Sequence, residues 1–305
     1  ENKIIQEDLE GNFEGVGIQI GFKGSRLTVI APLPKTPAEK AGLRPGDFIL
    51  GIKDENKGID RATDGITLPE AVQAIRGPAG SKVTLVIVRE GQDEPFEVEV
   101  LREKIEVPSV EVSFVGEGES IAHIKILKFA GETFGEWQNA ARRVQSSGVS
   151  GIILDLRNNP GGFLQGSVDV AADFLENDTI VVIEEKGSGE RTDFRTERVG
   201  RLTNIPTLIL VNAGSASASE ILAGALAELK GFQIVGENTF GKGTIQEPQQ
   251  LDGGAALHIT VARWLTPKGI WINDKGLEPN VKIEDNSETE EDEQLQEAIR
   301  LLNAQ

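Results

Sequence analysis

Cysteine, methionine and tyrosine are absent from this chain of 305 residues, and histidine occurs only twice. Without a thiol, the chain offers neither a cysteine nucleophile nor a thiolate ligand for a metal ion. His123 and His258 each alternate with apolar residues in strand-like segments, which predicts that both lie on polar strand faces as ordinary surface histidines. If the chain attacks a substrate covalently, its base is therefore expected to be lysine rather than histidine.

Basic residues are outnumbered, since 31 lysines and arginines stand against 49 aspartates and glutamates, giving a formal charge of -18. That charge argues against nucleic acid and against anionic membrane surfaces as partners. No run of 18 apolar residues is present, so no segment is predicted to span a membrane. Because the chain begins at Glu1 rather than at methionine, we expect any signal peptide or anchor to have been removed.

The acidic charge is concentrated near the C-terminus, where Glu284 to Glu293 contains seven acidic residues and no basic one. Such a run is typical of a solvated linker. Leu295, Ile299 and Leu302 follow it at the spacing of one helix face. They predict a short amphipathic helix that docks either on the body of the protein or on a second subunit.

The length favours two domains with a sizeable core. We divide the chain into an N-terminal segment (1–13), a small β-rich domain (14–105), an α/β domain (106–283) and an acidic linker with a C-terminal helix (284–305). The β-rich domain shows short strands and two short helices, whereas the next domain alternates strands with helices. That alternation predicts an α/β core whose loops at the strand ends carry the chemistry.

The segment from Thr36 to Ile49, TPAEKAGLRPGDFI, resembles the signature of PDZ domains. The resemblance implies that the backbone N–H groups of Gly15, Val16 and Gly17 take up the C-terminal carboxylate of a peptide. The peptide would then add as a strand along Ile18 to Phe22. The alternative is that these glycines only form a tight entry into the strand.

A turn of small residues connects an apolar strand, residues 207–211, to a segment whose apolar residues repeat on one helix face. A serine in such a turn, Ser217, can be held at a helix N-terminus where a substrate backbone has room to approach. Lys242, in the glycine-rich stretch 239–243, is the candidate base for that serine. Taken singly, the serine fits close packing of helix on sheet, and the lysine fits an ordinary surface position.

The turn Asn158-Asn159-Pro160-Gly161-Gly162 follows another apolar strand. Its glycines allow backbone N–H groups to point into a cleft, as an oxyanion hole requires. By itself the segment also fits a plain turn. The hypothesis rests on the combination, because a nucleophile, a base and oxyanion donors are together what acyl transfer needs.

Lys242 also fits a second motif, because residues 236–242 match the first seven positions of a P-loop. The eighth position should be serine or threonine, which ligates magnesium, but it is Gly243 here. The following residues predict a strand that ends at Pro248 rather than a phosphate-binding helix. We therefore interpret the match as coincidence and expect no nucleotide.

Three segments, 154–162, 214–221 and 239–246, together resemble the carboxyl-terminal processing peptidases, also called tail-specific proteases. The resemblance extends over nearly the whole chain. It implies a crotonase/ClpP-like α/β catalytic core with an inserted PDZ domain. It further implies an ATP-independent serine endopeptidase that needs no cofactor and acts on unfolded or flexible protein C-terminal tails.

Carried over by position, the resemblance makes Ser217 the nucleophile and Lys242 the general base, and Gln246 the residue that orients the lysine. Burial disfavours an ammonium group. We therefore expect Phe240 and the preceding apolar strand to desolvate Lys242 once substrate fills the cleft, which leaves a neutral amine to deprotonate the serine.

The same resemblance assigns the oxyanion donors to the backbone N–H of Ala218 and to that of Gly161 or Gly162. Arg76, at the end of the second PDZ helix, is a candidate sensor of the bound carboxylate, although a helix-terminal arginine also fits a solvated cap.

The family resemblance implies a location outside the cytoplasm, in a bacterial periplasm or cell envelope. It leaves monomer and homo-oligomer both open. The competing interpretation is a non-catalytic PDZ protein that binds or regulates peptides; such a protein would have no need of both Ser217 and Lys242 in intact motifs.

Overall fold

The computed structural model describes residues 12–92, 94–250, 256–284 and 291–304. The chain divides into two compact units, the first from Asn12 to Val107 and the second from Pro108 onward. Among the described residues, no helix is both long and apolar enough to cross a membrane.

The first unit is built mainly from short antiparallel strands. Its first and last strands in sequence, β1 (Asn12–Gly15) and β8 (Glu103–Glu106), pair with each other. The remaining strands are β2 (Ile18–Lys23), β3 (Arg26–Pro32), β4 (Phe48–Asp54), β5 (Ile59–Ala62), β6 (Lys82–Val88) and β7 (Phe96–Leu101). They form one sheet in the order β2-β3-β4-β6-β7, with β5 paired to β4. Among the described strands β2 pairs only with β3, so it forms an edge of this sheet.

Two helices, α1 (Pro37–Lys40) and α2 (Leu68–Ile75), pack on this sheet. Each has proline in its first turn, where the missing N–H costs no helical hydrogen bond. Thr67 precedes α2, and its backbone N–H donates to Glu70 Oε2 at 2.8 Å, as in a capping box. The helix ends one residue earlier than predicted, because Arg76 is already extended.

The end of α2 is fixed by a buried arginine. Arg102 donates from Nε to the carbonyl of Ile75 at 2.7 Å and from Nη2 to Asp54 at 2.6 Å. Both charged side chains are completely buried. Because the carbonyls at a helix C-terminus have no partner within the helix, a buried cation there both satisfies them and orients the helix on the sheet.

The second unit has a central, mostly parallel sheet. Its strands are β9 (Val110–Val115), β10 (Ile121–Ile126), β11 (Gly151–Asp155), β14 (Thr207–Val211), β15 (Gln233–Gly236) and β18 (Val281–Lys282). The order is β18-β15-β14-β11-β10-β9, in which only β9 runs antiparallel to its neighbour. The predicted α/β core is therefore confirmed. Parallel strands place their carboxyl ends at one edge of the sheet. At that edge β11 leads to the turn 158–162, β14 to the segment with Ser217, and β15 to the stretch 239–243.

Helices cover both faces of this sheet. Helices α3 (Thr133–Ser147), α4 (Leu164–Ala171) and α5 (Ala218–Lys230) share one apolar cluster with Ile152 and Leu154 of β11. The C-terminal helix α6 (Glu293–Asn303) packs with Ile153, on the opposite face. Burial on both sides explains why β11 and β14 are mostly apolar.

The apolar spacing in the sequence predicts a helix from Val168 to Leu175, but the helix observed there, α4, begins and ends earlier. Its N-cap is Phe163, directly after the glycines of the 158–162 turn. Beyond Ala171 the backbone continues in tight turns, in which Phe174 N–H donates to the Ala171 carbonyl at 3.0 Å. The side chains of these turns are also buried, so the apolar pattern continues beyond the end of the helix. The pattern therefore indicates which residues lie in the core, not where the helix ends.

A separate four-stranded sheet lies next in sequence to the loop that contains Lys242, residues 239–243, which we call the lysine loop. It consists of β12 (Ile180–Lys186), β13 (Arg191–Arg195), β16 (Thr244–Gln250) and β17 (Ala256–Leu265), in the order β13-β12-β17-β16. On β17 the apolar side chains of Leu257, Ile259 and Val261 are exposed. The alternation around His258 is therefore real, but the apolar face is not buried here; the side chain of His258 lies outside the described residues.

Candidate active site

Ser217 lies between β14 and α5, as the N-cap of the helix. Its backbone has φ 57° and ψ -116°, a conformation that residues with a side chain rarely adopt. A strained serine between a strand and a helix is the arrangement that exposes a nucleophile at the edge of a sheet. The small residues around it therefore form a tight elbow.

The neighbouring serines differ from Ser217 in both exposure and bonding. Ser215 and Ser219 are completely buried, whereas Ser217 is only partly buried. Ser215 Oγ donates to the carbonyl of Leu156 at 2.8 Å, and Ser219 Oγ donates to the carbonyl of Asn159 at 3.0 Å. Two serines thus fix the elbow, and the third remains available to a substrate.

A buried carboxylate joins the serine elbow to the lysine loop. Glu220, in the first turn of α5, is completely buried. Its Oε2 accepts from the backbone N–H of Ser217 at 2.8 Å and from that of Lys242 at 3.0 Å. Its Oε1 accepts from Thr239 Oγ1 at 2.6 Å and from Gly241 N–H at 2.7 Å. We call this set of four bonds the Glu220 clasp.

Glu220 was not predicted from the sequence, although a signal was present. Serine followed three residues later by glutamate, just before an apolar helix, is the capping-box signature. Here the glutamate accepts from the serine N–H, as the motif predicts, and its remaining acceptor sites serve a loop more than 18 residues away.

The lysine loop is further held from the side of β17. Trp264 Nε1 donates to the carbonyl of Lys242 at 2.8 Å, and Trp271 Nε1 donates to the carbonyl of Gly243 at 2.9 Å. The Lys242 side chain is partly buried, and its Nζ takes part in none of the hydrogen bonds or ion pairs among the described residues. Phe240, which is expected to desolvate this lysine once substrate fills the cleft, is 66% exposed.

Asn159 fixes the turn 158–162. It is completely buried, its Nδ2 donates to the carbonyl of Ile126 at 2.8 Å, and its own carbonyl accepts from Ala216 N–H at 2.9 Å. One side chain thus connects this turn to the end of β10, while the backbone connects it to the serine elbow.

Gly161 approaches the serine directly. A Cβ added to Gly161 would lie 2.8 Å from Ser217 Cβ and 3.1 Å from Ala218 N, so only glycine fits between them. The N–H of Gly161 donates to Asn159 Oδ1 at 2.9 Å and is therefore already occupied.

Gly162 has φ 134° and lies against Phe129. A Cβ there would lie 2.1 Å from the Phe129 carbonyl oxygen. Because this contact is with backbone, no side-chain movement could relieve it. The two glycines are thus needed for close approach, one to the serine and one to the loop after β10.

Gln246 lies on β16, opposite Thr260 of β17. Its side chain is exposed and makes none of the hydrogen bonds among the described residues. The structure brings Ser217, Ala218, Gly161, Gly162 and the lysine loop together, whereas the orienting role of Gln246 stays a prediction.

His123 is not the surface histidine that the alternation predicted. Its side chain is only 14% exposed, and Nε2 lies 3.0 Å from Oδ2 of the fully buried Asp155. The strand β10 is internal to a sheet covered on both faces, so its polar residues also need buried partners. Burial alone would raise the pKa of Asp155, but hydrogen bonds from His123 and Arg157 hold it well below its usual range.

The predicted peptide site of the first unit lies beside the edge strand β2. Gly17 has φ 76°, and a Cβ there would lie 2.4 Å from the Thr36 side chain. Val16 is buried, and its carbonyl accepts from Ala38 N–H at 2.9 Å. The loop is therefore held firmly against α1.

Arg76 lies close to the same loop. Its guanidinium stacks 4.4 Å from the centre of the Phe13 ring, and its Cγ lies 3.6 Å from the position of a Cβ on Gly15. A cation at this place is not simply a solvated helix cap.

Two other types of site find little support. Among the described residues, no group of three histidine, aspartate or glutamate side chains is arranged to hold a metal ion. The residues after Lys242 form strand β16 rather than a helix, so the P-loop match does not correspond to a phosphate-binding structure.

Sequence comparison identifies both units. Residues 120–283 match peptidase family S41, and residues 28–89 match the PDZ domain. The chain is 35% identical over 283 residues to the carboxy-terminal processing protease CtpB of Bacillus subtilis (strain 168), covering 92% of this chain and 57% of the relative. It is 38% identical over 285 residues to the carboxyl-terminal-processing protease of Synechocystis sp., covering 92% of this chain and 65% of that one.

Structural comparison agrees. The chain superposes on the photosystem II D1 C-terminal processing protease with a TM-score of 0.57 and 30% identity, covering 99% of this chain and 80% of that structure. The chain spans somewhat more than half the length of the first curated relatives that it matches.

Proposed function

The chain belongs to peptidase family S41, and on that premise we propose that it is an ATP-independent serine endopeptidase with a Ser217–Lys242 dyad. The observation that carries the proposal is the Glu220 clasp. It binds the backbone N–H of the one partly exposed serine in the elbow and that of the candidate base through the same carboxylate oxygen. Two residues 25 positions apart are thereby held at one place.

The mechanism follows from the groups at this place. The neutral amine of Lys242 takes the proton of Ser217 Oγ as the oxygen attacks a peptide carbonyl. The resulting oxyanion needs donors that are already oriented. When the C–N bond breaks, the lysine returns its proton to the leaving amine. Water then attacks the acyl-enzyme, with the lysine again as base. The ester bond to Ser217 Oγ breaks, and the lysine returns the proton to that oxygen.

For the oxyanion donors we propose the N–H groups of Ala218 and Gly162. Gly161 N–H is bonded to Asn159 Oδ1, so it serves the turn rather than a substrate. Within the part of the chain that the structure describes, the N–H groups of Ala218 and Gly162 make none of the backbone hydrogen bonds found for turns, loops and caps. Ala218 is also the first residue of α5, where an N–H has no acceptor within the helix.

We further propose that the PDZ domain captures substrate tails. Among the described strands the outer edge of β2 has no partner, which supports this, because its backbone groups can accept an added strand. Gly15, Val16 and Gly17 precede that edge, and Arg76 lies next to Gly15, where a positive charge suits a bound carboxylate. In this proposal Ile18 begins the paired stretch and Arg76 senses the carboxylate.

The test is cleavage of an unfolded protein with an apolar C-terminus. We expect Ser217→Ala and Lys242→Ala to abolish cleavage, and amidation of the substrate C-terminus to weaken it. Ser146→Ala is the matched control, since it removes a hydroxyl from an exposed position of α3 and is expected to leave both stability and activity unchanged. Binding of the tail without any cleavage by the unmodified chain would instead support a non-catalytic PDZ protein.

Family resemblance also supports a location outside the cytoplasm. The curated relatives of this chain include bacterial carboxy-terminal processing proteases. Fractionation of cells that produce the native protein tests this location, and recovery in the cytosol would contradict it.

A further inference from the structure

The C-terminal helix α6 contacts the sheet through its apolar face and the candidate active site through its first turn. Leu295, Ile299 and Leu302 pack with the sheet face that carries Ile153. The contact is close, since a Cβ on Gly151 would lie 3.1 Å from the Leu302 side chain. The predicted helix thus docks on the body of its own chain.

Asp292, the last residue before α6, is not part of a solvated linker as the acidic run suggested. Its Oδ1 accepts from Leu295 N–H at 2.9 Å and so caps the helix. Its two carboxylate oxygens also accept from Arg157, at 2.7 Å from Nη1 and 2.8 Å from Nη2. Burial alone would raise the pKa of Asp292, but these bonds lower it.

Arg157 is held from two sides. Its Nε and Nη2 donate to Asp155 at 3.0 and 2.7 Å, while Nη1 and Nη2 donate to Asp292. The residue is 8% exposed. Paired bonds of this kind fix the orientation of a guanidinium as well as its position. The next residue, Asn158, begins the turn 158–162, which we call the oxyanion turn because it contains the proposed donor Gly162. The N–H of Asn158 donates to Asn212 Oδ1 at 2.8 Å.

The same turn of α6 also reaches the start of the lysine loop. Gln294 is 1% exposed; its Oε1 accepts from Arg157 Nη1 at 3.2 Å, and its Nε2 lies 3.3 Å from Glu237 Oε1. Glu237 N–H in turn donates to the Val211 carbonyl at 3.1 Å, at the end of β14. The first turn of α6 therefore contacts the starts of both loops.

We propose that Asp292 is a positioning residue for catalysis, acting through Arg157 on the oxyanion turn, so that docking of the C-terminal helix completes the active site. The inference rests on the proposed peptidase activity. Asp292 itself touches no reacting group. Its carboxylate sets the position of the guanidinium, and the guanidinium sets the backbone one residue before the turn that carries the oxyanion donor.

The informative variant is Asp292→Asn. Asparagine caps helices as well as aspartate does, so the helix start is retained. The charge that faces Arg157 is lost, and one acceptor becomes a donor. Misplacement of catalytic groups by about 1 Å can lower a rate about 100-fold. We expect kcat to fall about 10- to 100-fold, with KM and the affinity of the PDZ domain for a tail peptide unchanged.

The matched control is Glu297→Gln on the same helix, which breaks only the exposed pair of Glu297 with Arg300. It is expected to leave kcat and the unfolding temperature unchanged. Acylation measured in single-turnover experiments should be slower in Asp292→Asn than in the unmodified chain, by about 10- to 100-fold.

Each outcome decides between the alternatives. A kcat of Asp292→Asn equal to that of the unmodified chain overturns the inference alone, provided that Ser217→Ala is inactive. A large fall in unfolding temperature with kcat and KM changed together shows a purely structural role, which also overturns it. Inactivity of the unmodified chain removes the proposed peptidase function and this inference with it.

Discussion

Replacing Glu220 by glutamine would test the clasp with the smallest change of shape. The carboxylate receives four donors, two on each oxygen. An amide keeps one acceptor oxygen and turns the other acceptor into a donor. Whichever way it is oriented, a pair of donors then faces an N–H₂ group inside a completely buried site.

The magnitude follows from the less costly orientation. With the amide nitrogen toward Thr239 and Gly241, the hydroxyl can rotate to accept, so only Gly241 N–H is left without a partner. A buried unpaired N–H costs about 1–3 kcal/mol. The two remaining bonds, to Ser217 and Lys242, become neutral and each weakens by about 1 kcal/mol. We therefore expect the free energy of unfolding to fall by about 3–5 kcal/mol.

Activity should fall further than stability accounts for. Loosening of the lysine loop changes the distance between Lys242 and Ser217, so kcat is expected to drop about 100-fold at a temperature where the variant is folded. Denaturant unfolding and steady-state cleavage of an unfolded substrate measure the two effects. Glu228→Gln is the matched control on α5, since Glu228 accepts one backbone N–H, from Lys268, and is less buried. Wild-type stability and kcat in Glu220→Gln would refute the reasoning.

Three further predictions concern single positions. Gly162→Ala should abolish cleavage while tail binding by the PDZ domain persists, because its Cβ would meet the Phe129 carbonyl at 2.1 Å; retained kcat would contradict the assignment. Gly17→Ala should weaken tail-peptide affinity at least tenfold in a calorimetric titration, because its Cβ would meet Thr36 at 2.4 Å, and an unchanged affinity would place the carboxylate site elsewhere. Asp155 has a lowered pKa, so its stabilising effect is present above about pH 4 and is lost as pH falls further; Asp155→Asn should flatten that acid limb in unfolding experiments, and an identical limb would refute the assignment.

The apolar pattern predicted most of the fold. The strands 151–155 and 207–211 are mostly apolar because both of their faces are covered, and the predicted bounds of the second agree with those observed. Where buried turns continue the pattern, as after Ala171, periodicity alone could not find the end of a helix. The α/β core and the PDZ domain were predicted correctly because their signals extend over many residues.

Polar residues with buried partners were harder to predict. Nothing near His123 in sequence shows that Asp155, on the next strand, will contact it. Asp292 looked like one of seven similar acidic residues, yet only the folded chain brings it to Arg157, 135 positions away. Glu220 was not predicted either, although its capping-box spacing to Ser217 is local, and its partners in the lysine loop lie 19 to 22 residues away. Partners far apart in sequence leave no pattern that a single chain can display.

All acceptor sites of the Glu220 carboxylate are filled, and this bears on how Lys242 could act as the proposed base. A carboxylate offers about four acceptor sites, and the clasp fills them with three backbone N–H groups and one hydroxyl. None remains to accept a hydrogen bond from Lys242 Nζ, although the same carboxylate binds the lysine backbone. In the proposed dyad, the acid that positions the base thus does not occupy it, and the amine stays available to Ser217. A histidine base would need a partner that orients its second ring nitrogen, whereas a lysine needs only a fixed backbone and a site without a free carboxylate oxygen.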